Sequence, residues 1–285
     1  MTTVLASRPT VTRSQDGTLK IVQQLDDGVQ LESCVLDLPY RTPRRVICIS
    51  SQAGCPFRCT FCASGARPFL RLLTAAEIVD QVGLAHGSAS LPIGEPFDVT
   101  YMGVGEPLAN FMNVTESFDA LTSRWPEIVR LNVSTIGPRG QIARLARTAS
   151  RGRLHLQWSL HAASDAERRR LLQWPVPTIR ETLEEIALFA SETGDVPCIN
   201  FLLFAGVNDS DRHAAMLASA VRSIPCYVKL STYNPVNGTG LLPSSCAQKC
   251  SFGELLAGAG IAVKYFESHG SDVKAGCGQM VSEMG

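Results

Sequence analysis

The stretch Cys55-Pro-Phe-Arg-Cys59-Thr-Phe-Cys62 decides the fold, because it places three cysteines within eight residues. Thiolates at this spacing on a looped backbone can converge on one metal centre, and soft sulfur ligands select iron–sulfur clusters, zinc or copper(I). A structural zinc site or an electron-transfer cluster normally has four protein ligands, but the next cysteine in the sequence is Cys198. Three thiolates on a cubane leave one iron open for chemistry.

Length and composition bound the class of protein. With 285 residues, of which 45% are hydrophobic, the chain can bury a full core as one large domain or as a domain with a small appendage. It has no long apolar run, and its first residues lack the apolar stretch of a signal peptide, so we expect no membrane association. Ten cysteines, three of them in a metal-type cluster, indicate a reduced, cytoplasmic protein rather than a disulfide scaffold.

The charge of the chain is unevenly distributed. The net charge is zero, yet the segment 139–180 contains nine arginines against one aspartate and one glutamate, a local net charge of +7. Arginine suits phosphate recognition because its planar fork binds two oxygens. The segment is therefore either a surface for nucleic acid or nucleotide, or a set of solvated helix faces.

Strand and helix patterns alternate along most of the chain. Residues 1–17 are expected to form a flexible tail, and Asp26-Asp27-Gly28 predicts a hairpin turn between strands at 18–24 and 29–36. Further strands are predicted at 46–49, 98–102, 128–133, 154–159, 198–204, 227–232 and 263–266. Helices are predicted at 74–85, 113–123, 139–147, 165–172, 179–193, 209–222 and 249–258. This alternation indicates an α/β fold with parallel strands, as an open sheet or a partial barrel.

Polar residues recur where the predicted strands end, which is the binding face of parallel α/β architectures. Two glycines precede Glu106 in Met102-Gly-Val-Gly-Glu-Pro-Leu108, so this carboxylate projects beyond a strand end and could accept from the ammonium group of a bound amino acid. Ser134, the run Ser159-Leu160-His161 and Asn234 follow other strands. His161 is as consistent with a satisfied structural histidine as with a ligand-binding one.

For several cysteines and one glutamate, the sequence allows both a structural and a functional interpretation. Glu32 is a lone strand glutamate, and Cys48 lies in an apolar strand as a small core residue would. Cys277, between two glycines, predicts an exposed, mobile loop whose thiol can react, or else an incidental surface cysteine. A core position or a chance occurrence is favoured over a metal site for Cys246 and Cys250. We expect purely structural roles for Cys34, Cys198 and Cys226.

The thiol motif with Phe61 before its last cysteine resembles the radical S-adenosylmethionine (SAM) superfamily, in which SAM chelates the open iron. A zinc knuckle or unrelated buried thiols is the alternative. The sequence resembles in particular the class A radical SAM methyltransferases, the RlmN and Cfr proteins, over residues 15–281. The matching pieces are Asp26-Asp-Gly28 with Glu32-Ser33, Cys48–Cys55, Met102–Leu108, Asn132–Gly137, Ser159–His161, Asn234-Pro235 and Asp272–Gln279.

The resemblance implies a radical SAM partial (β/α)6 barrel over residues 46–270, with a β-hairpin extension at 18–45 and a C-terminal catalytic cysteine loop at 271–285. It further implies a [4Fe-4S] cluster on Cys55, Cys59 and Cys62, and two SAM molecules per turnover. The residues that match SAM-binding positions are Gly105, Glu106, Ser134, Ser159, Leu160, His161 and Asn234.

The implied reaction methylates C2 or C8 of adenine. Cys277 takes a methyl group from one SAM, a radical made from the second SAM activates that methyl group, Glu32 removes the ring proton, and Cys48 releases the product by forming a disulfide with Cys277. Adenine ring carbons are poor nucleophiles, which is why a radical is needed.

The substrate stays open between two candidates. The resemblance implies ribosomal or transfer RNA, but the family's helical N-terminal accessory domain is expected to be missing here, which leaves a small nucleoside, nucleotide or natural-product intermediate as an alternative. A non-catalytic iron–sulfur redox protein is the third hypothesis. The expected partners are RNA or a nucleotide-like substrate and a flavodoxin- or ferredoxin-type reductant, with the protein itself a monomer.

Overall fold

The computed structural model describes residues 8–38, 44–148, 152–281 and 283–284. These residues form two compact units. The first unit comprises residues 1–56, 62–134 and 269–285, and the second comprises residues 57–61 and 135–268.

The strands, in chain order, are β1 (Thr10–Arg13), β2 (Leu19–Gln24), β3 (Val29–Leu38), β4 (Arg44–Cys48), β5 (Gln52–Ala53), β6 (Arg71–Leu72), β7 (Phe97–Tyr101), β8 (Ile128–Thr135), β9 (Leu154–Ser159), β10 (Cys198–Leu203), β11 (Tyr227–Thr232), β12 (Ala262–Phe266) and β13 (Glu283–Met284). The α-helices are α1 (Ala75–Ser88), α2 (Phe111–Arg124), α3 (Gln141–Leu145), α4 (Asp165–Leu172), α5 (Ile179–Thr193), α6 (Asp211–Val221) and α7 (Cys246–Gly258). Both sets agree closely with the predicted alternation.

The first unit combines antiparallel and parallel strands in one sheet. Strands β1 to β4 pair antiparallel in sequence order, β4, β7 and β8 pair parallel, and β13 pairs antiparallel with β3. The hairpin around Asp26-Asp27-Gly28 is confirmed, because Gly28 takes a positive φ of 83° and β2 pairs with β3. The predicted extension is thus continuous with the strand that leads into the thiol loop.

Helix α1 shows how local sequence fixes an element of this unit. Thr74 accepts a hydrogen bond from the Glu77 backbone N–H, and the Glu77 carboxylate accepts from the Thr74 N–H, so both ends of the predicted capping box are present. Ile78, Val82 and Ala85 then bury one face of the helix.

The second unit carries a parallel sheet in the order β9-β10-β11-β12. Strand β10, Cys198–Leu203, is buried along its whole length and reads as a nearly continuous apolar run, whereas β12 contains no buried residue. Helix α5 begins at a second capping box, Thr178 with Glu181, and ends at Gly194, which takes the left-handed conformation with φ 71°.

One predicted segment is wrong in part. The flexible tail predicted for residues 1–17 includes strand β1, which pairs with β2 in the register Thr10 to Val22. All four side chains of β1 are exposed, so the strand carries no apolar alternation that sequence reasoning could detect. Residues 1–7 of that tail and residues 39–43 of the predicted hairpin extension lie outside the described residues.

Candidate active site

The loop that carries the three cysteines leaves the carboxyl end of β4 and is held at its start by Ser50. The Ser50 hydroxyl donates to the Glu32 carbonyl oxygen (2.8 Å) and accepts from the Val104 N–H (2.9 Å). Its backbone N–H and carbonyl both bond to the Gln81 side chain, at 2.9 and 3.0 Å. All these groups are buried, so the start of the loop is fixed to β3, to α1 and to the loop after β7.

Cys55, Cys59 and Cys62 are half-buried thiols. Within the ranges that the structure describes, no three His, Cys, Asp or Glu side chains gather around a point as the ligands of a single metal ion would. A cubane is held differently, because each thiolate binds its own iron and the ligands lie a cluster's width apart. Three soft sulfur donors on one loop, with access to solvent, fit a cluster that keeps one iron open.

The loop after β7 approaches the thiol loop at two glycines, as their positions before Glu106 suggested. Gly103 donates to the Ile49 carbonyl oxygen at 2.9 Å, and a Cβ at Gly103 would lie 2.6 Å from that same oxygen. Gly105 has a φ of +108°, and a Cβ there would lie 2.6 Å from the Gln52 side chain. Only glycine satisfies both positions.

Glu106 is buried at the end of this loop, where its backbone N–H donates to Gln52 at 2.8 Å and its carboxylate accepts from the Leu108 N–H at 3.0 Å. A buried carboxylate is costly unless it is hydrogen-bonded or faces a cation. The arrangement therefore suits recognition of a positively charged group such as an amino acid ammonium.

Cys48 ends β4 directly opposite Cys34 of β3. The two thiols are 6% and 1% exposed and pack with Val104, Ala275 and Met280. Contact with Cys34, together with burial, raises the pKa of Cys48 well above that of an ordinary cysteine. Cys48 is therefore a protonated thiol at neutral pH.

The C-terminal loop that carries Cys277 lies against the residues that follow Cys62. The Ala63 N–H donates to the Gly278 carbonyl oxygen at 2.7 Å, and the Ser64 hydroxyl donates to the Met280 carbonyl oxygen at 2.7 Å. The Cys277 side chain itself is exposed. The structure thus brings the loop that carries Cys277 next to Cys62, and the Cys277 side chain on that loop is exposed. The sequence predicted a mobile loop, but hydrogen bonds to Ala63 and Ser64 hold its backbone.

Glu32 joins the same region and is more constrained than a solvated strand glutamate. Its carboxylate, 8% exposed, pairs with Lys20 Nζ at 2.8 Å and accepts from the Val281 N–H at 3.0 Å. Sequence reasoning singled out Glu32 but missed Lys20, which lies on the neighbouring strand in a hairpin register that spacing alone does not define.

Residues of the predicted tail hold the start of the C-terminal loop. The Ser14 hydroxyl and the Gln15 N–H donate to the Asp272 carboxylate, and these bonds lower the pKa of Asp272. Gly270 donates its N–H to Asp16 at 2.9 Å. Burial opposes ionisation of Asp16, but hydrogen bonds from Thr18 and Gly270 outweigh it and lower the pKa of that carboxyl.

In the second unit, His161 follows β9 with a positive φ of 56° and is 3% exposed. Its Nδ1 accepts from the Leu202 N–H at 3.1 Å, so the ring proton of the neutral form lies on Nε2. Burial, followed by the nearby charges of Arg168 and Lys229, lowers the pKa of His161 to about 3. Phe61 packs edge-on against this neutral ring, with 5.1 Å between ring centroids.

Asn208, which the sequence did not single out, orders the same region. Its amide donates to the carbonyl oxygens of His161 (2.9 Å) and Leu202 (2.7 Å) and accepts from the Phe204 N–H at 2.7 Å. Of the remaining predicted SAM-binding residues, Leu160, Ser134 and Asn234 are buried and Ser159 is half-buried, at or just after the ends of their strands.

The arginine-rich segment 139–180 exposes fewer unpaired arginines than its composition indicates. Arg168 is 1% exposed and donates to the carbonyl oxygens of Ile136 and Pro177. Arg139 pairs with Glu181 at 2.7 Å, and Arg180 pairs with Glu184 at 2.9 Å. Arg144, Arg147, Arg169 and Arg170 are exposed, whereas Arg151 lies outside the described residues.

Fold and site together define an α/β enzyme that carries a three-thiol loop at the carboxyl end of a parallel strand. The model of the Radical SAM superfamily matches residues 49–218. The chain is 36% identical over 281 residues to the dual-specificity RNA methyltransferase RlmN of Halorhodospira halophila, covering 95% of this chain and 75% of that protein. It is 34% identical over 285 residues to the RlmN of Desulfotalea psychrophila, covering 96% of this chain and 77% of that protein.

Solved structures agree with these sequence matches. The crystal structure of a radical SAM methyltransferase from Sphaerobacter thermophilus superposes with a TM-score of 0.86 at 32% identity, covering 95% of this chain and 80% of the other. The Streptococcus suis SuiB structure bound to S-adenosylmethionine, at 13% identity and a TM-score of 0.57, shares the fold. The chain belongs to the radical SAM superfamily and, within it, to the RlmN family of methyltransferases.

Membership confirms the predicted α/β radical SAM fold and the predicted enzyme class. The cofactors of this family are a [4Fe-4S] cluster and SAM, as expected from the thiol motif. In the part of the chain that the structure describes, no helix is long and apolar enough to cross a membrane. The roles of individual residues, including Cys277, Cys48 and Glu32, stay predictions.

Proposed function

We propose that this enzyme methylates a ring carbon of adenine, C2 or C8, in RNA through an S-methylcysteine on Cys277. The observation that carries the proposal is the 2.7 Å hydrogen bond from Ala63 to Gly278, which holds the Cys277 loop beside Cys62. The RNA substrate rests on the relatives named dual-specificity RNA methyltransferase.

Cys55, Cys59 and Cys62 would hold the [4Fe-4S] cluster, with Gly105, Glu106, Ser134, Ser159, Leu160, His161 and Asn234 around SAM. When bound, the cluster supplies the electron that cleaves SAM to a 5′-deoxyadenosyl radical. The buried Glu106 carboxylate would receive the ammonium of the methionyl group. The neutral His161 ring adds no positive charge that would oppose the sulfonium.

Cys277 would act first as a nucleophile and then as a carrier. Its exposed thiolate displaces the methyl group of one SAM, forming S-methylcysteine and S-adenosylhomocysteine. This methyl group would then give a hydrogen atom to the 5′-deoxyadenosyl radical, yielding 5′-deoxyadenosine. Its carbon would bond to the adenine ring carbon, so enzyme and base become joined in an adduct that carries one unpaired electron.

Glu32 and Cys48 would complete the reaction. Glu32, paired with Lys20, would accept the ring proton. Cys48 then gives up its own proton and attacks Sγ of Cys277. The methylene carbon would take up a proton as its bond to sulfur breaks, and one electron would pass to a one-electron carrier of the flavodoxin or ferredoxin type, which releases the methylated base and leaves a Cys48–Cys277 disulfide. The raised pKa of Cys48 keeps this thiol protonated before the reaction.

A small nucleoside, nucleotide or natural-product intermediate is the second candidate substrate. The observation that favours it is the internal pairing of Arg139 and Arg180 and the burial of Arg168, which reduce the cationic surface available to a phosphate backbone. The third hypothesis, a redox protein without catalysis, does not explain why the loop that carries Cys277 is held beside Cys62.

The test supplies SAM with an isotope-labelled methyl group to the reduced, cluster-loaded enzyme, with total RNA in one reaction and free nucleosides in another. Mass spectrometry of digested RNA is expected to find the label in methyladenine. Label in the free nucleosides alone would favour the second candidate, and absence of both label transfer and 5′-deoxyadenosine would contradict the enzyme hypotheses. A flavodoxin- or ferredoxin-type reductant, a monomeric state and a cytoplasmic location belong to the same proposal.

A further inference from the structure

Cys34 is a buried thiol that the mechanism above does not use. It lies directly opposite Cys48 across the antiparallel pair β3–β4, so both side chains point to the same face of the sheet. Opposite residues in antiparallel strands have Cα atoms about 4.5–5.5 Å apart. That spacing falls within the roughly 4.4–6.8 Å that disulfides span. A Cys34–Cys48 disulfide therefore needs no movement of the backbone.

Cys34 also touches the loop that carries Cys277. Its Sγ lies 3.9 Å from the Ala275 carbonyl oxygen, two residues before Cys277, and both Cys34 and Cys48 pack against Ala275 in one apolar cluster. Cys34 thus lies opposite one partner of the disulfide expected after turnover, Cys48, and contacts the loop that carries the other, Cys277. Cys198, the other fully buried strand cysteine, faces Tyr227 and Gln157 instead.

We propose that Cys34 is a third catalytic thiol, which takes over the disulfide that turnover leaves between Cys48 and Cys277. This inference rests on the proposed function. The Cys34 thiolate attacks Sγ of Cys48, the Cys34–Cys48 bond forms, and the Cys48–Cys277 bond breaks. The electron pair of the broken bond goes to Sγ of Cys277, which gains the proton that Cys34 lost. The exchange is redox-neutral, and a cellular dithiol later reduces Cys34–Cys48 with two electrons and two protons.

The consequence is that Cys277 regains its thiol before any external reductant acts. The oxidising equivalents are stored between two strands instead, where small thiols have poor access. The exposed loop can accept its next methyl group while the buried pair is still oxidised, although product release then waits for reduction of Cys48.

The exchange can be followed without turnover. The cluster-loaded protein is treated anaerobically with oxidised glutathione, quenched in acid, alkylated and digested with trypsin, which separates Cys34, Cys48 and Cys277 into peptides 21–41, 46–58 and 275–285. Peptide 46–58 also contains Cys55, so fragment spectra of each linked pair must place the link at Cys48. In the native protein we expect the 46–58/275–285 link to appear first and to decay as the 21–41/46–58 link rises. In Cys34→Val and Cys34→Ser, the first link should persist and the second should be lost.

Controls separate exchange from direct oxidation and from misfolding. Cys198→Val removes an equally buried strand thiol and should behave as native. Cys277→Ala should slow formation of the 21–41/46–58 link severalfold, because the exposed entry point is gone. A native time course that matches that of Cys34→Val, or an unchanged rate in Cys277→Ala, would overturn the proposal.

A single-turnover reaction with RNA distinguishes this inference from the proposed function. Methylated product together with a 21–41/46–58 link supports both. Methylated product with only the 46–58/275–285 link overturns the role of Cys34 and leaves the proposed function standing. Absence of methylated product counts against the proposed function, and the glutathione experiment still decides whether Cys34 exchanges with Cys48.

Discussion

The two units position their functional residues by different means. In the first unit, neighbouring loops meet at backbone hydrogen bonds, Gly103 to Ile49 and Ala63 to Gly278, in addition to the side-chain bonds of Ser50. In the second unit, the buried Asn208 side chain holds His161 after β9, and the buried Arg168 side chain holds Ile136. The close backbone approach at Gly103 is therefore sensitive to an added atom, whereas the region around His161 is sensitive to the removal of a polar side chain.

The largest expected effect concerns Cys277 of the first unit, the proposed methyl carrier. Cys277→Ala removes the methyl carrier, so methylation of RNA should fall to background, while reductive cleavage of SAM to 5′-deoxyadenosine continues. Quantifying both products by chromatography tests this. Cys246→Ala, an exposed cysteine on α7, serves as the control and should keep full activity. Methylation by Cys277→Ala would refute the mechanism.

A steric change tests the backbone contacts of the first unit. Gly103→Ala places a Cβ 2.6 Å from the Ile49 carbonyl oxygen, so the two loops must separate. We expect a loss of about 3 kcal/mol in the free energy of unfolding, together with most of the activity. Gly152→Ala is the matched control, because a Cβ there meets nothing within 4 Å. Denaturant titration of both variants measures the difference, and equal stabilities would contradict the distinction drawn between the units.

Removal of a buried polar side chain tests how the region around His161 in the second unit is held. Asn208→Ala removes three buried hydrogen bonds and leaves two carbonyl groups and one N–H unsatisfied, at an expected cost of about 3 kcal/mol. Asn113→Ala, which removes a single bond to Asn110, should cost about 1 kcal/mol or less. Thermal and denaturant unfolding provide the readout. A cost for Asn208→Ala no larger than that of the control would show that side chains do not hold this region.

Stability should also depend on pH through His161. Its folded pKa of about 3 lies below the ordinary value of 6.5, so between these values the unfolded chain binds more protons, and stability falls as pH falls below 6.5. In native protein this group contributes a slope of about 1 kcal/mol per pH unit. His161→Asn, which tolerates the positive φ, should remove that contribution when unfolding is measured from pH 7 to pH 4.5. An unchanged slope would mean that His161 is not buried as a neutral ring.

The smallest expected effect concerns the exposed arginines and decides between the two substrate classes. If the substrate is RNA, replacing Arg169 and Arg170 by alanine should weaken binding and reduce the slope of log affinity against log salt by about one per arginine that meets a phosphate. Arg139→Ala, which loses only its pair with Glu181, should leave that slope unchanged. Filter binding at several salt concentrations measures it. Equal slopes in all variants would favour a small substrate.

Much of the fold could be predicted because local sequence and burial agree. Helices α4 and α5 and strand β9 begin and end where their caps and apolar patterns indicate. Strand β1 could not be predicted, because its exposed side chains show no alternation and only its pairing with β2 stabilises it. Local signals define elements, whereas a strand formed by pairing alone depends on its neighbour.

The candidate site also contains some features that local sequence predicts and others that it does not. The thiol loop and the glycines before Glu106 are local motifs, so sequence reasoning found them. The pairing of Cys34 with Cys48, the ion pair of Glu32 with Lys20 and the burial of Arg168 each depend on register or packing between distant segments. From composition, Arg168 was counted in a cationic surface, but its guanidinium is buried and donates to two backbone carbonyl oxygens inside the unit.

The bonds from Ser14 and Gln15 to Asp272 join positions 258 and 257 residues apart. During synthesis on the ribosome, the amino-terminal half of this contact must wait until almost every later residue has been added. Cys277, the proposed methyl carrier, can be seated only after that, so a nascent chain that has already paired strands β2 to β12 still lacks this part of the proposed site. On the proposed mechanism, methyl transfer is reserved for chains that have been translated past Asp272.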